Sequence, residues 1–335
     1  MAEPKKQNSP FHWLGLLKWS IEQHSSDLPP SEWKPMKEED KAWLREVMDT
    51  MVRDDAQEMK LILKTVGDLF LVASKDDRAD SKDPTQCEVE EGLESDKDER
   101  GQELLEELED IVCQIDAAVN FVKLKGLECL SELLRSSQIP PLTRGAAAGV
   151  MATLSQNNPP VQEAMLQAGY MVLFSDLLQE EGLEESVKLR AFGALSSLVR
   201  SHAEAESAFS ATEGPELLKI LLRGASVRFK RKVLFFTKAL LGAGAEPAPP
   251  ARVEAFWEVV GALAGLLVTE DDLELRENAL QLLVNLGQQG LKERLYAAYG
   301  AALDEARGVF AANPPPEPEN AQRQEQLWKA LDDLS

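Results

Sequence analysis

Apolar residues recur at spacings of three, four and seven along most of the chain, and one short pattern of apolar and small residues occurs four times. Its copies are 147–157, 191–201, 233–243 and 279–289. Their starts lie 44, 42 and 46 residues apart. A second pattern, a glycine followed by a leucine-rich stretch, begins at Gly126, Gly169 and Gly214. These spacings predict amphipathic helices in repeats, because strands would alternate apolar and polar positions instead.

The period of the repeat predicts the fold. Units of about 40–47 residues with two or three helices each are typical of armadillo and HEAT arrays. We therefore predict an all-α fold, an armadillo/HEAT-like right-handed superhelical solenoid of about four repeats with flanking capping helices. Each unit is expected to hold a short first helix, a second helix that opens at the glycine, and a longer third helix. The glycine is expected where the chain needs a positive φ or a close backbone approach.

Composition divides the chain into five segments. We predict that 1–35 is a flexible N-terminal segment, 36–72 an N-terminal helical cap, 73–102 an acidic linker or insertion, 103–310 the armadillo-repeat solenoid and 311–335 a C-terminal tail with a short helix. The linker prediction rests on composition, because this region is strongly acidic and poor in aromatic residues. The C-terminal helix either caps the apolar end of the stack or lies free.

The charge pattern narrows the class of partner. The net charge is −22 and the isoelectric point is near 4.6, which disfavours nucleic acid and anionic membranes as partners. Residues 76–110 alone hold 16 acidic and 4 basic side chains. By contrast, 223–238 holds six basic residues and no acidic one. This basic patch is expected to dock an acidic surface of a partner protein.

Motifs for catalysis and cofactor binding do not occur in the sequence. The chain carries no P-loop, dinucleotide-binding or nucleophile-elbow motif, and its three histidines are too scattered for a zinc site or a catalytic triad. Asp96, Asp98, Gly101 and Glu107 match four positions of a calcium loop, but Arg100 stands where a further ligand belongs. We expect a protein without enzymatic activity, cofactor or metal.

Cysteine usage and hydropathy bear on location. The three cysteines, Cys87, Cys113 and Cys129, have unrelated spacings that fit free thiols in a reducing compartment. The N-terminal residues contain only a five-residue apolar stretch, 13–17, which is too short for a secretory signal. No apolar run approaches the roughly 18 residues of a membrane helix. We expect a cytoplasmic protein, with the nucleus as the alternative. We also expect a monomer, because a short solenoid with a polar face and distinct ends can exist alone.

Matching positions between the repeats predicts which residues line the inner face. Lys232 takes the slot that is filled in the other third helices by Ala146, Arg190 and Asn278. Helical spacing extends this row to small, polar and aromatic residues, namely Gly149, Thr153, Gln156, Gly193, Ser197, Arg200, Phe235, Ala239, Gln281 and Asn285. Such a row suits a protein surface better than a small-molecule pocket. In a second interpretation, Arg228 and Lys230 are solvated helix-end charges and Lys232 extends over apolar neighbours.

Six motifs carry a resemblance to a known family. They are GLLKWSI (15–21), MKEEDKAWL (36–44), IDAAVNF (115–121), SQNNP (155–159), RAFGALSSLVR (190–200) and SVRFKRK (226–232). Over roughly 14–289, the chain resembles the armadillo-type nucleotide exchange factors of the 70-kDa heat-shock chaperone, the cytosolic heat-shock-protein-70-binding protein family. The acidic segment 73–102 and the proline-broken C-terminus depart from the family's pattern, which leaves the capping of the array and any added regulation open.

The resemblance implies a function. Such factors hold one lobe of the chaperone's ATPase domain with the concave face, open the nucleotide cleft and release ADP, so that ATP enters and client protein leaves. Here the resemblance implies that acidic groups of that lobe are met by four cations, namely Arg190, Arg200, Arg228 and Lys232. It also implies that residues of 117–121 lie at the N-terminal end of the groove. The partner-binding residues expected are Ala117, Ala118, Asn120, Phe121, Gly149, Thr153, Asn157, Arg190, Gly193, Ser197, Arg200, Arg228, Lys232, Phe235 and Gln281. The alternative is an armadillo scaffold or adaptor for an unrelated protein.

The N-terminal segment has two interpretations. Its large apolar residues are Trp13, Leu14, Leu16, Leu17 and Trp19. They could form a hydrophobic cap that docks on the first helices of the solenoid. In the family, a flexible N-terminal segment imitates client peptide and speeds its release from the chaperone, so the resemblance implies a client-mimic segment here.

Overall fold

The computed structural model describes residues 38–39, 41–43, 54–72, 84–242 and 247–333. The chain divides into two units, 1–58 and 59–335. In the first unit, 38–39 and 41–43 are helical, and Lys41 Nζ lies 2.7 Å from Glu38 Oε1. Among the described residues, no helix combines the length and apolarity needed to cross a membrane.

Helices make up the described part of the chain, which contains no strand. The first two are α1 (Asp55–Gly67), continued by a π-helical turn (Asp68–Val72), and α2 (Pro84–Val112). Four three-helix repeats follow within the described ranges. They are α3 (Ile115–Lys123), α4 (Gly126–Arg135) and α5 (Pro141–Ser155); α6 (Pro159–Gln167), α7 (Tyr170–Gln179) and α8 (Glu185–Val199); α9 (Ala203–Ala211), α10 (Gly214–Gly224) and α11 (Val227–Leu240); and α12 (Pro250–Ala255), α13 (Trp257–Thr269) and α14 (Leu273–Leu286). After a second π-helical turn (Gly287–Leu291) come α15 (Lys292–Ala312) and α16 (Pro318–Asp333).

The repeats stack so that equivalent helices pack on each other. In the third-helix row, α2 packs on α5, α5 on α8, α11 on α14 and α14 on α16. The α8–α11 step is bridged by the ring of Phe192, whose centroid lies 5.4 Å from that of Phe229 and 5.6 Å from that of Phe236. One continuous core of buried leucine, valine, alanine and phenylalanine side chains runs through the stack of repeats. The prediction of an all-α armadillo-type solenoid is confirmed.

The glycines that open the second helices meet both predicted requirements. Gly169 has a left-handed φ of 76°, and a Cβ there would meet nothing within 4 Å. A Cβ on Gly126 would lie 2.2 Å from the ring of Phe121, and a Cβ on Gly214 would lie 2.4 Å from the carbonyl oxygen of Phe209. A side chain is therefore excluded by backbone conformation at the first position and by close packing at the other two.

Helix α2 runs through the expected linker boundary at 102/103. Its inward side chains, which include Leu104, Leu105 and Leu108, join the core. Asp98 is buried, and its Oδ1 accepts hydrogen bonds from the backbone nitrogen and the hydroxyl of Thr143, both at 2.7 Å. Asp98 thus satisfies otherwise unpaired N–H groups at the start of α5. This contact spans 45 residues, so no local pattern in the acidic segment could have indicated it.

Helix α16, in the segment expected to be a tail, continues the third-helix row beyond α14. Trp328 and Leu331 are buried in the common core. Its carboxylate Asp332 accepts hydrogen bonds from Tyr296 and Arg307 on α15, each at 2.7 Å. Of the two sequence interpretations, the structure matches the one in which this helix covers the apolar end of the stack.

Ion pairs with a buried cation join neighbouring repeats, and two of them involve the start of a third helix. Arg144, at the start of α5, pairs with Glu180 after α7 at 2.8 Å. Lys230, at the start of α11, pairs with Glu270 after α13 at 2.6 Å. The interpretation of Lys230 as a solvated helix-end charge is therefore wrong, because its side chain is only 9 % exposed and serves as a link between repeats.

Candidate partner-binding groove

The inner faces of α2, α5, α8 and α11 enclose an open groove of about 950 Å³. Its floor consists of small residues, namely Gly149, Ala152 and Gly193. A Cβ on Gly193 would lie 4.0 Å from Cβ of Ala152, so α5 and α8 approach each other closely here. The rim consists of charged and polar side chains, including Glu106, Glu109, Asp110, Thr153, Gln156, Arg190, Arg228 and Lys232. This groove is the candidate site.

The middle of the groove depends on the missing side chain of Gly149. A Cβ at this position would lie 3.2 Å from Nη1 of Arg190 and 3.2 Å from Oε2 of Glu109. Thr153 donates a hydrogen bond of 2.6 Å to the other oxygen of Glu109. The glycine therefore leaves room for side chains from the two flanking helices to extend over α5.

The basic patch divides into paired and available cations. Arg231 forms ion pairs with Asp272 and Glu274, and the pKa of Asp272 is lowered because it accepts the hydrogen bond of Arg231. Arg228 and Lys232 are exposed on the groove side. Within the ranges that the structure describes, no carboxylate lies at ion-pairing distance from either of these two, so their charges are available to a partner.

A smaller cleft of about 330 Å³ continues the groove at the step between α8 and α11. Phe235 forms one side of it and is 60 % exposed, which is unusual for so large an apolar residue. The guanidinium of Arg200 lies 5.1 Å from the centre of the Phe235 ring. The amide of Gln162 fixes the backbone at the end of α8, because it donates to the carbonyl oxygens of Ser197, Leu198 and Arg200 at 2.8, 3.1 and 2.9 Å. Aromatic rings and arginine are both enriched at protein interfaces, and here an exposed ring and an arginine lie side by side.

The C-terminal end of the inner face forms a third, polar depression of about 520 Å³. Gln281 and Asn285 lie in it and share a hydrogen bond of 2.9 Å. Arg323 and Leu327 from α16 complete the lining. The inner face therefore includes the terminal helix.

Most of the residues expected from the sequence do lie along this face. Gly149, Thr153, Arg190, Gly193, Arg228 and Lys232 line the main groove, Ser197 and Phe235 line the cleft, and Gln281 lines the C-terminal depression. Asn120 and Asn157 are exposed but are not among the residues that line these three depressions. The apolar residues Trp13, Leu14, Leu16, Leu17 and Trp19 lie outside the described residues.

The expected N-terminal contacts need a correction. Ala117, Ala118 and Phe121 are 6 %, 1 % and 0 % exposed and belong to the core. Because a partner could reach them only after repacking of α3, we leave them out of the surface that we propose below.

Sequence reasoning missed one side of the groove. Glu106, Glu109, Asp110 and Cys113 come from α2 and the residue after it, which carried no repeat pattern. Their spacing of three and four residues places the three carboxylates on one side of the helix, and this was the only signal available. Among the described residues, no group of three or more metal-binding side chains is arranged to hold an ion.

An armadillo solenoid with an open, charged inner face has the architecture of a protein-binding module. Solved structures support the fold. A designed armadillo repeat protein in complex with the peptide (KR)4 is 15 % identical, covers 81 % of this chain and 99 % of its own, and superposes with a TM-score of 0.54. Computationally designed armadillo repeat proteins for modular peptide recognition are 17 % identical over 68 % of this chain and 92 % of their own, with a TM-score of 0.53.

Curated proteins give a more specific likeness. Hsp70-binding protein 1 from Rattus norvegicus is 29 % identical over 236 residues, 69 % of this chain and 61 % of the rat protein. The Homo sapiens protein of the same name is 28 % identical over 237 residues, 69 % of this chain and 60 % of its own. Hsp70 nucleotide exchange factor FES1 from Mycosarcoma maydis is 30 % identical over 137 residues, 41 % of this chain and 34 % of its own. The chain thus spans about three fifths of the Hsp70-binding proteins that it matches. No protein-family model matches the chain.

These relatives confirm the resemblance that the sequence motifs carry. This chain is similar to proteins named as binding partners and nucleotide exchange factors of Hsp70.

Proposed function

We propose that this protein is a co-chaperone that acts as a nucleotide exchange factor. It binds the ATPase domain of a cytosolic 70-kDa heat-shock chaperone through the groove between α2 and α11 and promotes release of ADP and then of client protein. We expect it to work as a monomer in the cytoplasm. One observation carries the proposal, namely that the sequence is similar to relatives named Hsp70 nucleotide exchange factor and Hsp70-binding protein 1.

The groove supports this proposal through its exposed cations. Arg190, Arg228 and Lys232 lie on its rim, and Arg200 stacks on Phe235 in the adjoining cleft. These residues belong to the two motifs that we regard as most specific for the family, 190–200 and 226–232. Charged groups on an interface of this kind steer encounter and fix the orientation of the partner.

The mechanism requires linkage but no catalytic side chain. The ATPase domain interconverts between a closed-cleft and an open-cleft form, and a partner that binds the open form more tightly shifts the population toward it. Reciprocity then requires that ADP and this protein weaken each other's binding by the same factor. The groove-lining helices are held by a continuous core and by inter-repeat ion pairs. The inner face is therefore preorganised and can be complementary to the open-cleft form of the ATPase domain.

Stopped-flow release of a fluorescent ADP analogue from a cytosolic 70-kDa chaperone tests the proposal. We expect micromolar protein to accelerate release by at least about tenfold, because a coupling of usual size weakens ADP binding by that factor and such changes lie mainly in the dissociation rate. Lys232→Glu should abolish the acceleration without changing the circular-dichroism melting curve. Lys329→Glu is the matched control, because Lys329 is exposed on α16 away from the three depressions. No acceleration by the wild-type protein would reject exchange activity and leave a scaffold or adaptor function.

A further inference from the structure

The groove carries opposite charges at its two ends. Glu106, Glu109 and Asp110 on α2 form what we name the acidic wall. Arg228 and Lys232 on α11 form the basic wall. Between them lie α5 and α8 with their small floor residues. The basic wall has an assigned role in the proposed function, but nothing so far accounts for the acidic wall.

The three carboxylates of the acidic wall differ in their surroundings, because Glu109 shares the space over Gly149 with the guanidinium of Arg190, whereas no described cation pairs with Glu106 or Asp110. Thr153 fixes Glu109 by the hydrogen bond of 2.6 Å, and Gln102 donates an amide hydrogen bond of 2.7 Å to Glu106. Glu106 and Asp110 are exposed. In the part of the chain that the structure describes, no Lys or Arg forms an ion pair with any of the three. The wall is thus a prepared negative surface on the rim of the groove.

Among the described residues, the two walls form no ion pair with each other. The walls lie on α2 and α11, three steps apart in the third-helix row, and neighbouring packed helices are about 8–10 Å apart. The axes of α2 and α11 are therefore roughly 25–30 Å apart. This span matches the face of a protein domain and exceeds that of a small ligand.

We propose that the groove takes a bipolar face of its partner, with basic side chains of the partner against the acidic wall and acidic side chains against the basic wall. The proposal rests on the proposed function and deepens it, since it states which chemistry the bound face of the ATPase domain presents. Paired attractions of opposite sign at the two ends allow one orientation of the partner and penalise the reversed one, in which like charges meet. Helix α2, which carries the acidic wall, then takes part in recognising the partner.

Charge-reversal variants test the proposal through the sign of their effect. The acidic-wall variant is E106K/D110K, and its matched control is D304K/E305K on α15, which changes the same residue types by the same net charge. The basic-wall variant is R228E/K232E, and its control is R135E/K329E at exposed positions outside the groove lining. Each is titrated against the nucleotide-free, fluorescently labelled ATPase domain at fixed ionic strength.

We expect both wall variants to bind at least about tenfold more weakly than the wild type and both controls to stay within about twofold. If the bound face were uniformly acidic, E106K/D110K would bind more tightly than the wild type. Tighter or unchanged binding of E106K/D110K therefore overturns the proposal. Should this variant fail to fold, E106Q/D110N serves instead, because it removes the charge and keeps the shape, and about threefold weaker binding is expected.

Two other outcomes separate this proposal from the function on which it rests. If the wild type does not bind the ATPase domain at all, the proposed function fails. If sedimentation shows a wild-type dimer that both wall variants dissociate, a second copy of this chain fills the groove and the proposal is overturned. A wild-type monomer that binds the ATPase domain, with both walls required, supports it.

Discussion

Arg144 and Glu180 form a partly buried ion pair between the first two repeats. The guanidinium donates two hydrogen bonds to the carboxylate, at 3.0 and 2.8 Å, and a third to the carbonyl oxygen of Leu134 at 2.9 Å. The two side chains differ in exposure, since that of Arg144 is 5 % exposed and that of Glu180 is 35 % exposed. Removal of Glu180 therefore leaves a buried cation without its counter-charge, whereas removal of Arg144 leaves a carboxylate that reaches water.

The asymmetry gives the expected magnitudes. Glu180→Ala leaves a buried guanidinium with one carbonyl partner, and we expect a loss of about 3 kcal/mol in the free energy of unfolding, at the lower end of the range for a broken buried pair. Arg144→Met keeps an apolar stem, leaves a carboxylate that can turn to water and removes the donor to the carbonyl oxygen of Leu134, so we expect a loss of about 1 kcal/mol. In the double variant neither charge is stranded, and the loss should be smaller than the sum of the two single losses.

The pH dependence of the pair has a fixed sign. The hydrogen bond from Arg144 is the main cause that lowers the pKa of Glu180 below its ordinary value. A carboxyl with a lowered folded-state pKa contributes stability above its unfolded-state pKa and loses this contribution as the pH falls through the folded-state value. The difference in stability between the wild type and Arg144→Met should therefore shrink as the pH is lowered through the acid range.

Urea unfolding followed by circular dichroism at 222 nm measures all three quantities, provided that the slope of the transition is unchanged between variants. If Arg144→Met costs more than Glu180→Ala, the argument from burial is refuted. A stability difference that grows on acidification would refute the pH argument.

Three further results are expected. Gly126→Ala should lower the free energy of unfolding by about 2–3 kcal/mol, because its Cβ would lie 2.2 Å from the buried ring of Phe121; an unchanged urea midpoint would contradict this. Gly149→Ala should leave the protein as stable or up to about 1 kcal/mol more stable, because its new contacts are the ends of flexible side chains and alanine favours helix; a lower midpoint would contradict this. Iodoacetamide at pH 8 should modify the exposed Cys113 at least about tenfold faster than Cys129, because burial and Glu132 raise the pKa of Cys129 to about 11. Peptide mapping by mass spectrometry measures both rates, and equal rates would contradict the expectation.

The repeat architecture was predictable because it is encoded locally. The 43- and 45-residue spacing of Gly126, Gly169 and Gly214 located the second helices, since each position requires a glycine for its own geometric reason. Arg190 and Lys232 occupy equivalent positions in their third helices, and equivalent positions in stacked helices point to the same side. This equivalence located the inner face, where both residues line the groove. These inferences needed only helical periodicity and the repeat.

The remaining features depend on contacts between residues distant in sequence. Asp98 looked like part of a solvated acidic run, but it caps a helix that begins 43 residues later. Lys230 looked like a solvated charge, but it is buried against a carboxylate 40 residues away. Phe121 stood in a family motif and was expected on the surface, yet it fills the space above Gly126 in the core. Composition cannot distinguish these roles, because burial is decided by the packing partner.

Reciprocal linkage between ADP and this protein tests the central claim most directly. The affinity of the protein for the ATPase domain of a cytosolic 70-kDa chaperone is measured by calorimetry with and without saturating ADP, and the affinity of ADP is measured with and without saturating protein. The account predicts that each ligand weakens the other by the same factor, at least about tenfold. Equal affinity of the protein for the ADP-bound and nucleotide-free ATPase domain would contradict it.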